Sequence, residues 1–147
     1  MQIFIDADAC PVKEEALAVA YRYNVKLFLV SNQWLRLPVG DNVEKIVVND
    51  GFDAADDWIV ENAGAGDVVV TGDILLASRC LENGSNVIGH NGKPFTSDNI
   101  GMAVAMRELK SQLRDMGEDK GYNKSFTKDD RSRFSSALNL IVEKAVR

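Results

Sequence analysis

The chain predicts an α/β fold, a three-layer domain with a mostly parallel central sheet of about five strands and C-terminal helices. Three observations predict it. Short apolar runs alternate with stretches of helical periodicity, the order expected of strands covered by helices on both faces. Asp67 to Thr71 (DVVVT) is a nearly unbroken β-branched run, which is how a central parallel strand reads. Aspartates follow the strand-like runs at Asp6 and Asp73, at the sheet edge where open α/β folds keep their ligand crevice.

Gln2 to Asp6 opens as a buried strand. Pro11 to Tyr23 follows as a helix, with proline in its first turn and Ala16, Leu17, Ala20 and Tyr21 on one stripe. Val25 to Val30 is a second strand ending at Ser31 and Asn32, and Glu44 to Val48 is a third. Asp53 to Asn62 has helical spacing and stops before Gly64 and Gly66. After the central strand, Asp73 to Glu82 is a helix and Asn86 to Ile88 a short strand. Gly89 to Pro94 carries turn chemistry, with His90 read as a solvated loop residue. Ser97 to Met116 is a long helix capped by Ser97 or Asp98 and stopped by Gly117. A polar loop crosses Glu118 to Ser125, the one segment read as mobile, before a last helix from about Lys128 to Ala145. Its apolar stripe, Phe134, Leu138, Ile141 and Val142, suits packing on the sheet or on a second copy in a homodimer.

At 147 residues and 46% hydrophobic composition the chain fits one domain with a real core, 1–147. A net charge of −5 is not the basic excess of a domain held by phosphate contacts, although acids that bind cations would hide part of it. Two cysteines make no disulfide framework, no apolar run suits a membrane helix, and no signal peptide opens the chain. The expectation is a cytoplasmic protein with reduced thiols and no membrane partner.

The acids carry the functional signal. If the first strand continues, Asp6 and Asp8 lean to one side, and such close carboxylates repel unless a cation joins them. Asp53, Asp56 and Asp57 share a helix face, where Asp53 also suits an amino-terminal cap. Asp73 starts a helix just past the central strand, where Thr71 and Gly72 let the backbone turn closely around a site. One histidine and two distant cysteines argue against zinc, so oxygen ligands point to magnesium or manganese. Such an ion among carboxylates suits phosphodiester hydrolysis, with Lys13 and Arg107 as candidate phosphate contacts. Arg79 is expected to point away from the crevice. Cys10, near a helix start, reads as a buried packing residue in preference to a nucleophile.

The segments FIDADACPVK, GFDAADDWIV, DVVVTGDILLA, NIGMAVAMRELKSQLRD and FTKDDRSRF resemble the YaiI/YqxD family of uncharacterised bacterial proteins over nearly the whole chain. That resemblance implies an architecture similar to PIN-like and NYN nuclease domains. These place one acid after the first strand, one or more on a following helix and one after the central strand. Carried across by motif, the acids are Asp6, then Asp53 with Asp56 or Asp57, then Asp73. The implied catalytic set is Asp6, Asp57 and Asp73, and RNA is the implied partner. The NYN pattern commonly has a second acid two residues after the TGD aspartate, and this chain has Leu75 there. The departure implies weaker metal binding or one ion instead of two, with Asp8 as the candidate substitute. A competing resemblance is to phosphatases of the haloacid dehalogenase superfamily, through Asp6-Ala7-Asp8. There Asp6 would be the nucleophile, Asp8 the acid/base, and Ser31, beside Asn32, the phosphate contact. A third reading is a binding module that keeps the acids for structure.

Overall fold

Unbroken burial along Ile3, Phe4 and Ile5 requires cover on both sides of the first strand, and the chain supplies it. The computed structural model describes residues 1–49, 51, 53–115 and 126–146. Phe52, Met116, the Gly117 helix stop and the Glu118 to Ser125 loop lie outside them. The elements in order are β1 (Gln2–Asp6), α1 (Lys13–Tyr23), β2 (Lys26–Ser31), β3 (Val43–Val47), α2 (Ala54–Asn62) and β4 (Val68–Val70). They continue with α3 (Ile74–Glu82), β5 (Asn86–Ile88), β6 (Pro94–Phe95), α4 (Ile100–Asp115) and α5 (Lys128–Val146).

The sheet runs β3-β2-β1-β4-β5-β6, parallel throughout except for the antiparallel β6. Side chains of alternate parity face opposite layers. Ile3, Ile5, Leu27, Leu29, Val68 and Val70 face α1 and α5. Phe4, Val30, Val69 and Val87 face α2 and α3. The result is a three-layer, PIN-like α/β domain. Trp58 pins α2 to the sheet, its ring 6.0 Å from Phe4 and 5.7 Å from Phe28, which stack on each other at 4.9 Å. On the other face Phe134, Leu138 and Val142 are completely buried at successive four-residue steps. The stripe of the last helix thus packs on this chain's own sheet and α1 and is not left for a second copy.

Two local expectations change. The sheet has six strands, because Pro94–Phe95 turns back beside β5; proline is tolerated there because the strand is at the edge. The long helix begins at Ile100, not Ser97. Thr96 and Asn99 hold its start: Thr96 N–H donates to Asn99 Oδ1 at 2.8 Å and Asn99 N–H donates to Thr96 Oγ1 at 3.2 Å. The first strand ends at Asp6, as expected, and does not continue: Ala9 takes a left-handed φ of 58° in the turn that follows. Asp8 is therefore a turn residue and not the next position of a strand.

Candidate active site

From β1 the chain winds outward through β2 to β3, and from β4 it winds the opposite way through β5. The order reverses between β1 and β4, so the loops leaving their carboxyl ends part there and open a crevice. Asp6 closes β1 and Asp73 follows β4, and topology brings both to this point. A cavity of about 390 Å³ lies there, lined by Asp6, Asp8, Gly72, Asp73, His90 and Arg107.

Thr71 ties the two principal acids together. It is fully buried, and its hydroxyl donates to Asp6 Oδ2 at 3.0 Å while accepting the Asp73 amide N–H at 2.9 Å. Asp73 in turn caps α3, its Oδ1 accepting the N–H groups of Leu75 at 2.9 Å and Leu76 at 3.3 Å. Among the described residues no protein donor meets Asp6 Oδ1 or Asp73 Oδ2. Asp8 is more fully engaged. Ser31 Oγ donates to its Oδ1 at 2.7 Å, and Asn32 N–H donates to its Oδ2 at 3.2 Å. The Asn32 side-chain amide, with its nitrogen turned to the carboxylate, reaches the two oxygens at 3.0 and 2.7 Å. Ser31, Asn32 and Thr71 therefore position acids.

The acids share one field. Burial holds the Asp6 pKa above the ordinary carboxylate value against the lowering effect of the Thr71 bond, and the charges of Asp8 and Asp73 raise it further. Burial and then the charges of Asp6, Asp73 and Asp53 push Asp56 up to about 6, with Arg79 opposing. A carboxyl-detected NMR titration should place the Asp56 midpoint near 6, and Asp6→Asn should lower it, while burial keeps it above the ordinary carboxylate value. An unmoved midpoint would mean that Asp56 does not sense the crevice.

The other candidates are not gathered in the same way. Asp57 is exposed, pairs with Arg79 at 3.0 Å and lines a separate cavity with Val47 and Trp58. One residue along a helix is a rotation of about 100°, which turns Asp57 aside where Asp56 comes toward Asp6 and Asp73. Arg79, expected to point away from the crevice, is thus tied to the acidic helix. Asp53 is the residue before α2 in a left-handed conformation, φ 65°, and its side chain makes no capping bond. Lys13 Nζ donates to Cys10 O at 2.7 Å, bracing the turn behind Asp8. Of Lys13 and Arg107, Arg107 is the one that reaches the cavity wall among the described residues. Cys10 is buried, and burial raises its thiol pKa, which suits packing and not nucleophilic attack.

His90 corrects the sequence reading. It is no solvated loop residue but part of the cavity wall, with Nε2 buried and without a hydrogen-bond partner among the described residues. Burial, with Lys13 adding to it, lowers its pKa and keeps the ring neutral. Its ring lies against Gly72 so closely that a Cβ there would stand 3.0 Å from Cε1. The available signal was positional: β5 is parallel to β4, so the residues leaving β5 emerge at the same edge as Asp73.

Among the described residues no three His, Cys, Asp or Glu side chains are grouped so as to hold a metal ion. None of the described helices is long and apolar enough to cross a membrane. A family model described as "Uncharacterized BCR, YaiI/YqxD family" matches residues 4–144. The chain is 54% identical to the UPF0178 protein mlr0875 of Mesorhizobium japonicum, across 99% of this chain and 94% of that one. It is 51% identical to a UPF0178 protein of Parvibaculum lavamentivorans, across 97% and 93% of the two chains. It is also 51% identical to the UPF0178 protein RC1_2062 of Rhodospirillum centenum, across 100% and 97%. No solved structure matches significantly.

Proposed function

The chain belongs to the YaiI/YqxD family, and on that premise we propose that it is a divalent-metal-dependent nuclease that hydrolyses RNA phosphodiester bonds at the Asp6–Asp73 cavity. The observation that carries this reading is the Thr71 link, which holds two acids from different strands at one crevice with an oxygen of each unclaimed by protein donors.

The donor set fits magnesium or manganese. These ions take one or two carboxylates and otherwise water or substrate phosphate, so a cage of three protein ligands is not required. Asp6 and Asp73 would hold the ion, with Asp56 and Asp8 as flanking charge. When bound, the ion supplies Lewis acidity and a means of making hydroxide from water near neutral pH. The protein residues do the remainder. Asp73 is immobilised by two amide donors, and Thr71 fixes the rotamer of Asp6. Arg107 brings a cation to the same wall, suited to a phosphate oxygen of the substrate. Oriented groups of this kind lose little on reaching the transition state.

The phosphatase reading is weaker because Ser31, its phosphate contact, is buried and already donates to Asp8. The nuclease reading is tested with purified protein, single-stranded RNA and manganese, followed by chelation. Asp73→Asn keeps an oxygen to cap α3, so the fold should survive while cleavage falls on the order of 100-fold or more. Full activity in that variant, or wild-type protein that cuts phosphomonoesters and binds beryllofluoride on Asp6 as an aspartyl-phosphate mimic, would overturn it.

A further inference from the structure

A second cavity, of about 370 Å³, begins where the acidic one ends. The two share Gly72, Ile74 and His90, so His90 is a partition between them. The lining changes character across it. Beyond His90 lie the rings of Phe95 and Phe126, with Asn91 and Asp130 at the wall. We propose that this second cavity is a nucleobase subsite, holding the base of the nucleotide whose phosphate enters the acidic cavity. The proposal rests on the nuclease reading for its phosphate site and extends it to a substrate class, single-stranded nucleic acid with an unstacked base.

Chemistry selects a base over a second phosphate. Asp130 keeps a negative charge, its pKa held down at about 2 chiefly by the Thr127 amide and then by Arg133. The oxygens of that carboxylate are taken by the Thr127 amide and Arg133, so it offers an anion no donor and leaves the wall to an uncharged aromatic ring. The partition is itself a neutral, flat imidazole held by packing against Gly72. Phe126 carries the Arg131 guanidinium 5.1 Å from its ring centroid, and a ring offers only one of its two faces to such a partner. Base stacking on an exposed aromatic ring is sequence-tolerant and strong enough to be measured.

The walls are built and not incidental. Gly92 follows His90 in the turn to β6 with φ +86°, and lies so close to α5 that a Cβ would meet Arg133 O at 2.6 Å. Gly89 opens that turn, and a Cβ there would touch Phe95 Cε2 at 3.5 Å. The Gly89–Lys93 hydrogen bond, 2.9 Å, closes it. The loop carrying His90 is thus clamped between α5 and the sheet edge.

The test compares adenosine 5′-monophosphate with ribose 5-phosphate by titration calorimetry in manganese, using wild type, Phe126→Leu and Phe126→Tyr. Phe126 is at the surface, so neither variant should disturb the core. The expected result is a roughly 10-fold preference of wild type for the nucleotide, kept by Phe126→Tyr and reduced to about twofold or less by Phe126→Leu. Equal affinity for the two ligands, a preference untouched by Phe126→Leu, or binding of neither would overturn the subsite. RNA cleavage measured in parallel separates the two ideas. Cleavage without base preference removes the subsite and leaves the nuclease, whereas base preference without cleavage does the reverse.

Discussion

Asp6→Asn is expected to abolish manganese-dependent RNA cleavage, by on the order of 100- to 1,000-fold, while raising the melting temperature. The two effects share one cause. The Asp6 carboxylate is desolvated and faces the charges of Asp8 and Asp73, so its folded-state pKa lies above the unfolded value. A group shifted upward stabilises the fold below its unfolded pKa, and that contribution is lost as pH rises through the folded pKa. Wild type should therefore match the Asn variant near pH 3 and fall behind it progressively toward pH 8. A gain of about 1 kcal/mol would appear as roughly 3 to 4 °C for a chain of this length. The amide oxygen of Asn can still accept from Thr71, so the comparison removes charge and little else. If manganese binds the folded acid site as proposed, it should raise the wild-type melting temperature at pH 8 and narrow the gap. Thermal melts at pH 3, 5 and 8, with and without the ion, measure all of this. Retained cleavage would remove Asp6 from the chemistry. Absent cleavage in wild type with manganese would remove the nuclease reading whatever the stability change.

The convergence of Asp6 and Asp73 was legible because it depends on strand direction alone. In a parallel sheet every residue just past a strand lands on the same edge, and the apolar runs Ile3–Ile5 and Val68–Val70 mark the strands plainly. What was illegible turned on rotations smaller than an element. Separating Asp56 from Asp57 requires the phase of α2 about its own axis, and three acids in five positions leave that phase open. The placing of Asp8 beside Asp6 rests on a continued strand, because nothing in Ala7-Asp8-Ala9 announces a left-handed turn, and alanine is an uncommon residue there. His90 was read from the turn chemistry of Asn91 and Gly92, although Asn86 to Ile88, correctly read as a strand, delivers it to the same sheet edge as Asp73. Competing caps also hid the start of α4: Thr96, Ser97, Asp98 and Asn99 can all cap a helix, and the reciprocal Thr96–Asn99 pair prevails.

The same turn ties the site to the last helix, and Gly92→Ala should expose that coupling. Two costs add at this position. A φ of +86° is unfavourable for any residue with a Cβ, and the new methyl would stand 2.6 Å from Arg133 O and 2.9 Å from Phe134 N. Those atoms are backbone, inside a helix whose next side chain, Phe134, is fully buried, so they cannot yield as a flexible side chain would. Strain and overpacking together should destabilise the protein by about 2–4 kcal/mol. Gly101→Ala is the matched control: it lies in the first turn of α4 with open space around it, and alanine there should be neutral or stabilising by up to about 1 kcal/mol. The distinctive part of the prediction is where relief occurs. If the turn shifts away from α5, His90 moves with it, and the partition between the acidic and aromatic cavities opens. Chemical shifts of the His90 ring and of Phe95 should then change in Gly92→Ala and stay fixed in Gly101→Ala. A Gly92→Ala protein as stable as wild type, with an unmoved imidazole, would show that α5 does not clamp the loop.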